Sequence, residues 1–148
     1  MSAEKVTVRL AQQRDYQFEA RFGEAVPRLI GDEPPPLGQG AGPSPIELLA
    51  SSVGNCLSSS LLFALRKFKQ QPEPLSAEIT AEVGRNAENR LRVLAIRARL
   101  TVGVPGASLA HLDRVLGQFE QFCTVTQSVA AGIPVTVEVF DSAGAQLK

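Results

Sequence analysis

The feature that most constrains the fold of this chain is a long apolar segment, residues 43–70. Its apolar side chains fall on almost every face of a helix, at Leu48, Leu49, Val53, Leu57, Leu61, Leu62, Phe63 and Leu65. A helix that is apolar all round is either a core helix or a membrane span. A span needs about 20 nearly continuous apolar residues, whereas Glu47, Asn55 and the five serines that follow Pro45 interrupt this segment. The segment therefore predicts a core helix that the rest of the chain must cover.

Local signals define both ends of this helix. Ser44 suits the N-cap and Pro45 the first helical position, and Glu47 completes a capping box three residues after Ser44. Pro72 forbids continuation, so we expect the helix to end near Gln70. From Pro45 the helix would then be about 39 Å long, at about 1.5 Å per residue.

Composition excludes several classes of function. A chain of 148 residues fits one domain over residues 1–148 with a sizeable core. The 15 basic and 15 acidic side chains balance, and no basic stripe interleaved with aromatics indicates nucleic-acid binding. Two cysteines and one histidine are too few for a zinc site. Because the first residues form no apolar signal region, we expect a cytoplasmic protein. The composition and the interrupted apolar segment predict no metal, nucleic-acid or membrane partner.

Alternation of apolar and polar residues predicts six strands around the helix. The strands cover residues 6–10, 16–22, 26–30, 76–84, 91–102 and 134–140. The first three lie close enough in sequence to form an antiparallel meander. The next two form a long hairpin, in which a change of phase near Leu94 indicates a β-bulge. The tail from Asp141 is expected to fray.

Two shorter helices are predicted between the last two strands. Ser108 would cap the first, which runs to about Phe122 and carries the apolar stripe Leu109, Leu112, Leu116, Phe119 and Phe122. Thr124 would cap the second through a capping-box pattern with Gln127. The order βββ-α-ββ-αα-β predicts an α+β fold, with antiparallel sheets wrapped around the long central helix. Because one small chain cannot cover a helix that is apolar on every face, we expect a homodimer.

The glycine-rich loop over residues 32–43 permits two interpretations. Its Gly38-x-Gly40-x-Gly42 run could form a phosphate cradle, but it has neither the βαβ context nor the Gly-Lys-Ser/Thr ending of such motifs. A loop whose backbone passes close to another surface is the better interpretation.

The two cysteines are the candidate reactive groups. Cys56 lies inside the long helix, where a free cysteine is usually a buried small hydrophobe, although Ser59 and Ser60 leave room beside it for a ligand. Cys123 is either the last buried residue of one short helix or lies just ahead of the next, whose N-terminus favours a thiolate. If the fold brings both together, one thiol could form a sulfenic acid that the other resolves to a disulfide.

Glu47 and His111 are weaker candidates. Glu47 has a structural role in the capping box, and on an ideal helix it is about 180° out of phase with Cys56. His111 could pair with a cysteine, although its place on the polar face of its helix favours a solvated side chain.

Two motifs around the cysteines resemble the OsmC/Ohr superfamily, the osmotically inducible protein C and organic hydroperoxide resistance proteins. The first is Gly42-Pro43-Ser44-Pro45-Ile46-Glu47-Leu48-Leu49, followed by Cys56 eleven positions after Pro45. The second is Phe122-Cys123-Thr124-Val125-Thr126, and Asp32-Glu33-Pro34 with the glycine-rich loop resembles the OsmC-like branch. The resemblance covers nearly the whole chain.

This resemblance implies an intertwined homodimer with two active sites at the subunit interface, and no metal or flavin. Cys56 would attack the distal oxygen of an alkyl or fatty-acid hydroperoxide and become a sulfenic acid. Cys123 would condense with it to a disulfide, and a dithiol, in the family typically a lipoyl group on a partner protein, would reduce that disulfide.

The sequence departs from the family pattern at two places. The family glutamate directly follows the helix-starting proline, where this chain has Ile46, and Glu47 comes one position later. The Cys-Pro of the second motif is Cys123-Thr124 here. The arginine that assists the reactive cysteine in the family could be Arg14, Arg21 or Arg28.

Two functions follow as hypotheses. The first is thiol-dependent reduction of organic hydroperoxides through a two-cysteine cycle, with Cys56, Cys123 and Glu47 as the candidate catalytic residues. The alternative is an OsmC-like protein with weak or lost peroxidase activity, which binds a small apolar ligand or senses redox state as a dimer.

Overall fold

The computed structural model describes residues 2–148, which form two three-stranded sheets and three α-helices in two compact units. The first unit ends at Leu48 and the second begins at Leu49. Helix α1 (Pro45–Lys67) begins in the first unit and continues through the second. The α+β class and the predicted order of elements are confirmed. The single domain over residues 1–148 stays a prediction.

The first unit carries an antiparallel meander, as predicted. Its strands are β1 (Arg9–Arg14), β2 (Gln17–Arg21) and β3 (Leu29–Gly31). The predicted starts of β1 at Val6 and of β3 at Val26 are wrong. Pairing with the middle strand sets where each edge strand begins, with Arg9 opposite Arg21 and Leu29 opposite Ala20.

The loop after β3 is organised by the buried side chain of Asp32. Its carboxylate accepts backbone N–H bonds from Glu33 at 2.8 Å, Ala41 at 3.1 Å and Gln39 at 3.2 Å. These bonds, the one from Ala41 first, hold the pKa of the Asp32 carboxyl below its usual value. Gly42 passes so close to Ile30 that a Cβ there would overlap the Ile30 carbonyl oxygen. The close-approach interpretation of the loop is therefore confirmed.

Helix α1 buries one stripe rather than every face. It ends at Lys67, earlier than predicted, and is about 35 Å long. Its buried leucine and valine side chains recur every fourth residue, at Val53, Leu57, Leu61 and Leu65. These pack in the core of the second unit, whereas Phe63 on another face is 73% exposed. This chain alone therefore does not cover the helix, and the homodimer stays a prediction.

By length and composition α1 is also the one helix among residues 2–148 that could cross a bilayer. Its buried stripe is nevertheless the packing of a core helix. The absence of a membrane partner stays a prediction.

The second sheet joins β4 (Ser76–Arg85), β5 (Leu91–Thr101) and β6 (Val135–Phe140) in that order. In the antiparallel β4–β5 hairpin, Glu82 faces Ala95 and Val83 faces Val93, so the predicted bulge at Leu94 is confirmed. Strand β6 runs parallel to β5, unlike the antiparallel pairing expected. The helical segment between the two strands allows this, because a parallel pair needs a long crossover connection.

The segment between β5 and β6 is more broken than predicted. It contains 3-10 turns at Gly106–Ser108 and Phe119–Phe122 and the short helices α2 (Leu112–Gln118) and α3 (Thr124–Ala130). The Ser108 cap is wrong, because its hydroxyl donates to the Pro105 carbonyl at 2.7 Å and α2 begins after His111. The Thr124 cap is also wrong, since Thr124 is itself the first residue of α3 and Cys123 occupies the N-cap.

The C-terminal tail is tied down rather than frayed. The tail is anchored at its first residue, Asp141, which is 7% exposed. The Asp141 carboxylate accepts backbone N–H bonds at 2.9 Å from each of Gly106, Ala143 and Ala145. At the end of the tail, the Lys148 ammonium pairs with Glu120 and donates to the Leu116 carbonyl at 3.0 Å. Side-chain hydrogen bonding supplies the order that the polar sequence of the tail did not indicate.

Candidate functional site

The second unit brings the two cysteines together. Cys56 is half-buried on α1, and Cys123 is fully buried at the N-cap of α3. Both are free thiols, and they lie close enough for Cys56 to raise the pKa of Cys123. Burial of the flanking Val53 and Leu57 fixes the rotation of α1, which leaves Cys56 at the edge of the core.

Cys123 is held as a thiol by its surroundings. Burial raises the pKa of the Cys123 thiol, and the neighbouring Cys56 thiol acts in the same direction. The Cys123 sulfur and the Thr126 hydroxyl oxygen are 3.0 Å apart, and the hydrogen bond that this hydroxyl can donate to the thiolate lowers the pKa by less. The N-terminus of α3 favours the thiolate as expected, through the backbone N–H of Thr126, but desolvation of the sulfur outweighs it, so the buried-residue alternative describes Cys123 better.

A cleft of about 470 Å³ opens beside Cys56. Side chains of α1, α2 and the turn after α2 line it, namely Cys56, Ser59, Ser60, Phe63, Ala64, Lys67, Phe68, Arg114, Val115, Gln118, Phe119 and Phe122. The predicted room beside Ser59 and Ser60 is part of this cleft. Its size is that of a small-molecule site.

The cleft is apolar with a cationic component. Aromatic and aliphatic side chains make most of the wall, and Lys67 and Arg114 supply two positive charges. Arg114 lies over the ring of Phe68, 5.7 Å from the guanidinium carbon to the ring centroid. The arrangement suits an apolar molecule, with cations available to an acidic group on it.

Phe122 borders this cleft instead of filling the core. It is 75% exposed, so its place in the predicted buried stripe is wrong. The chain changes from α-helix to 3-10 helix after Gln118. A 3-10 helix has 3.0 residues per turn instead of 3.6, so the stripe rotates away from the core beyond Phe119.

Glu47 is engaged in the capping box. The Ser44 N–H donates to its carboxylate at 2.7 Å, and the Glu47 N–H donates to the Ser44 hydroxyl at 3.2 Å. The bond from the Ser44 N–H comes first among the causes that lower the pKa of Glu47. The structural role is confirmed, while the catalytic role of Glu47 stays a prediction.

The three candidate arginines have partners inside the first unit. Arg14 donates to the side-chain oxygen of Gln39. Arg21 and Arg28 both pair with Glu19, at 2.8 Å and 3.3 Å. Assistance to Cys56 by any of the three stays a prediction.

His111 does not pair with a thiol. Its ring stacks on Phe68 with 4.8 Å between ring centroids, and the residue is exposed, as the sequence indicated. Residues 2–148 contain no group of three or more histidine, cysteine or acidic side chains placed to hold a metal ion.

The two cations of this site and the hydroxyl beside Cys123 were missed in the sequence. Lys67 lies at a spacing of four from Phe63, which continues the row from Ser59 along one face of α1. The sequence alone shows that spacing, so Lys67 could have been placed on the same face as Ser59. Arg114 and Thr126 reach the site through the broken helical segment, whose turns the residue pattern did not predict.

Comparison with known proteins identifies the family. The model of the OsmC-like protein family matches residues 38–138. No curated protein matches the sequence. An OsmC-like protein of unknown function from Vibrio cholerae is 16% identical, with a TM-score of 0.78 over 93% of this chain and 100% of that one.

Two solved structures of organic hydroperoxide resistance proteins share the fold as well. The protein from Legionella pneumophila is 15% identical, with a TM-score of 0.70 over 94% of this chain and 98% of that one. OhrB of Bacillus subtilis is 13% identical, with a TM-score of 0.68 over 92% of this chain and 98% of that one. The α+β architecture is thus that of the OsmC/Ohr class. This chain belongs to the OsmC-like protein family.

Proposed function

We propose that this protein reduces organic hydroperoxides through Cys56 and Cys123, with a dithiol as the reductant. One observation carries the proposal: Cys56 lies on an apolar cleft of about 470 Å³ and is a close neighbour of the buried Cys123, whose pKa it raises. Membership of the OsmC-like family and the fold shared with organic hydroperoxide resistance proteins support a role in peroxide resistance.

The two cysteines differ in the way that such a reaction needs. Cys56 lines the cleft, so a bound hydroperoxide can reach its sulfur. Cys123 is fully buried and its pKa is raised, which keeps it protonated and out of contact with substrate. Cys56 is therefore the attacking thiol and Cys123 the resolving thiol.

The proposed first step transfers one oxygen atom. The Cys56 thiolate attacks the distal oxygen of ROOH, the O–O bond breaks, and the alkoxide takes up a proton to leave as ROH. Cys56 is then a sulfenic acid, two electrons more oxidised than the thiol. The apolar wall favours a hydroperoxide with an alkyl or acyl chain, which loses water contacts on entering the cleft.

The proposed second and third steps restore the enzyme. Cys123 attacks the Cys56 sulfur, the S–O bond breaks, and water leaves as the disulfide forms. A dithiol then reduces the disulfide by thiol–disulfide exchange and is itself oxidised to a disulfide. A lipoyl group on a partner protein is the proposed physiological dithiol, and the cytoplasm is the proposed compartment.

A second copy of the chain is part of this proposal. Phe63 and Phe122, both on the cleft, are 73% and 75% exposed. Large aromatic side chains this exposed beside a reactive thiol favour a protein cover that would exclude water from the site. Sedimentation of the wild-type protein should give a dimer, and a monomer at micromolar concentration would contradict it.

Dithiol-dependent consumption of cumene hydroperoxide tests the enzymatic proposal. We expect wild-type protein to consume it, Cys56→Ser to lose activity, and Cys123→Ser to form a sulfenic acid that persists. After one equivalent of hydroperoxide, the intact mass of wild type should fall by the two thiol hydrogens. Equal consumption by wild type and Cys56→Ser, or an unchanged mass, would overturn the proposal.

The alternative function is binding of a small apolar molecule, or redox sensing, without efficient turnover. The exposed Ile46 at the family glutamate position favours it. Native mass spectrometry of the purified protein distinguishes the two. A co-purified apolar ligand together with no hydroperoxide consumption would establish the alternative.

A further inference from the structure

We propose that the hydroxyl of Thr126 controls the disulfide-forming step, by positioning Cys123 and stabilising it as it attacks oxidised Cys56. The inference rests on the proposed function. Thr126 is 2% exposed, and its Oγ1 lies 3.0 Å from the sulfur of the fully buried Cys123. Bulk water does not reach this contact, so no solvent molecule can take over the role of the hydroxyl.

The second step has an electrostatic problem that a hydroxyl solves. Cys123 must lose its proton to attack, yet burial disfavours its charged form. A threonine hydroxyl can accept a hydrogen bond from a thiol and, after rotation, donate one to a thiolate. Thr126 can therefore hold the sulfur in one position in both protonation states, which a methyl group in its place could not.

The step balances within the site itself. The Cys123 S–H proton leaves with the departing oxygen of the Cys56 sulfenic acid, so the products are the disulfide and one water molecule. The S–S bond forms and the S–O bond breaks. No further oxidant is needed, because the hydroperoxide has already supplied the oxidation.

The residue types at this contact are not explained by packing alone. Thr126 is one of three buried polar residues among those that the structure describes, and the other two, Asp32 and Asp141, organise backbone turns. The hydroxyl of Thr126 instead points at the candidate resolving thiol. Valine has nearly the same shape and would fill the space without this contact.

Single-turnover kinetics of Thr126→Val tests the proposal, with Thr126→Ser as the matched control. Formation of the Cys56 sulfenic acid, trapped with dimedone, should proceed at the wild-type rate. Closure of the disulfide should slow about tenfold or more, as expected when a charged group loses a buried hydrogen bond. Its pH profile should move to higher pH, and Thr126→Ser should restore both. Equal closure rates and pH profiles in all three proteins would overturn the proposal.

A second measurement is independent of peroxide chemistry. In a Cys56→Ser background, the ultraviolet absorbance of the Cys123 thiolate is followed against pH, with and without Thr126→Val. We expect titration at higher pH in the valine variant, and Thr126→Ala supplies the comparison if valine does not fold. Coincident titrations would refute the role of Thr126. Loss of sulfenic acid formation in wild type would instead refute the proposed function and leave the titration to decide on Thr126.

Discussion

Cys56 on α1 is a close neighbour of Cys123 at the N-cap of α3 and raises the pKa of its thiol, although a β-hairpin and α2 separate the two along the chain. The two sulfurs have different surroundings, one on an apolar cleft and the other in the core. This asymmetry within a neighbouring pair is the basis of the roles proposed for them.

The cations of the cleft should select substrates that carry an acidic group. We expect Lys67→Gln with Arg114→Gln to raise the KM for linoleic acid hydroperoxide about fivefold, the scale of an exposed ion pair. The KM for neutral cumene hydroperoxide should not change. Steady-state kinetics with both substrates is the measurement.

Arg66→Gln is the matched control for this experiment. Arg66 precedes Lys67 on α1 but is paired with Glu73 and does not line the cleft. Its removal should leave the ratio of the two KM values at the wild-type level. A similar rise in KM for the neutral substrate in the double variant would contradict charge recognition.

Glu47→Gln separates capping from catalysis. Glutamine can keep the reciprocal hydrogen bonds of a capping box while it removes the charge. Because the carboxylate already accepts the Ser44 N–H and is exposed, we expect unchanged hydroperoxide turnover and a slightly lower melting temperature, since a negative charge is lost from the first turn of α1. Ser44→Ala, which removes the other half of the box, should cost about 1 kcal/mol of stability. A clear loss of kcat in a stable Glu47→Gln protein would give Glu47 a catalytic role.

The Asp32 loop should make stability depend on pH in acid. The pKa of Asp32 is lowered on folding, so its ionised carboxylate stabilises the fold fully above the ordinary value of 3.8. That contribution is lost as the pH falls through the lower folded-state pKa. Thermal melts should show Asp32→Asn less stable than wild type at pH 7, with a difference that narrows below about pH 4.

Glu33→Gln is the control for this prediction. It removes one negative charge at the next position without touching the three N–H bonds to Asp32. Its melting curve should stay close to that of wild type at both pH values. If Asp32→Asn were as stable as wild type at pH 7, the three N–H bonds to the Asp32 carboxylate would make no net contribution to the free energy of unfolding.

Gly54 allows α1 to approach β4. A Cβ at Gly54 would lie 2.6 Å from Cγ1 of Ile79, closer than two carbon atoms can pack. Gly54→Ala should therefore lower the free energy of unfolding by about 1 kcal/mol, because overpacking outweighs the better helix propensity of alanine. Urea denaturation measures the change.

Gly117→Ala provides the opposite expectation. Apart from its chain neighbours and the backbone of α2 itself, no atom lies within 4 Å of a Cβ at Gly117, so alanine should stabilise by about 0.5–1 kcal/mol. The double variant Gly54→Ala/Ile79→Ala tests the collision at Gly54 directly. Its loss of unfolding free energy should be smaller than the sum of the two single losses, because alanine at position 79 leaves room for the new Cβ. Strict additivity would mean that the two side chains do not collide.

The sequence by itself determined the elements whose signals are local. The capping box of Ser44 and Glu47 and the bulge at Leu94 were readable because each depends on residues a few positions apart. The motifs around Cys56 and Cys123 were enough to identify the family. These features need no knowledge of what packs against them.

Only the tertiary structure decided where these elements lie in relation to one another. It set the parallel pairing of β6, the exposure of Phe122 and the raised pKa of Cys123, and it placed Thr126 and Arg114 at the site. Each depends on desolvation or contact between segments distant in sequence, and no local pattern encodes those. The N-terminus of α3 favours a thiolate at Cys123. Burial of that sulfur, which only the folded chain reveals, outweighs this effect and raises the pKa of the thiol.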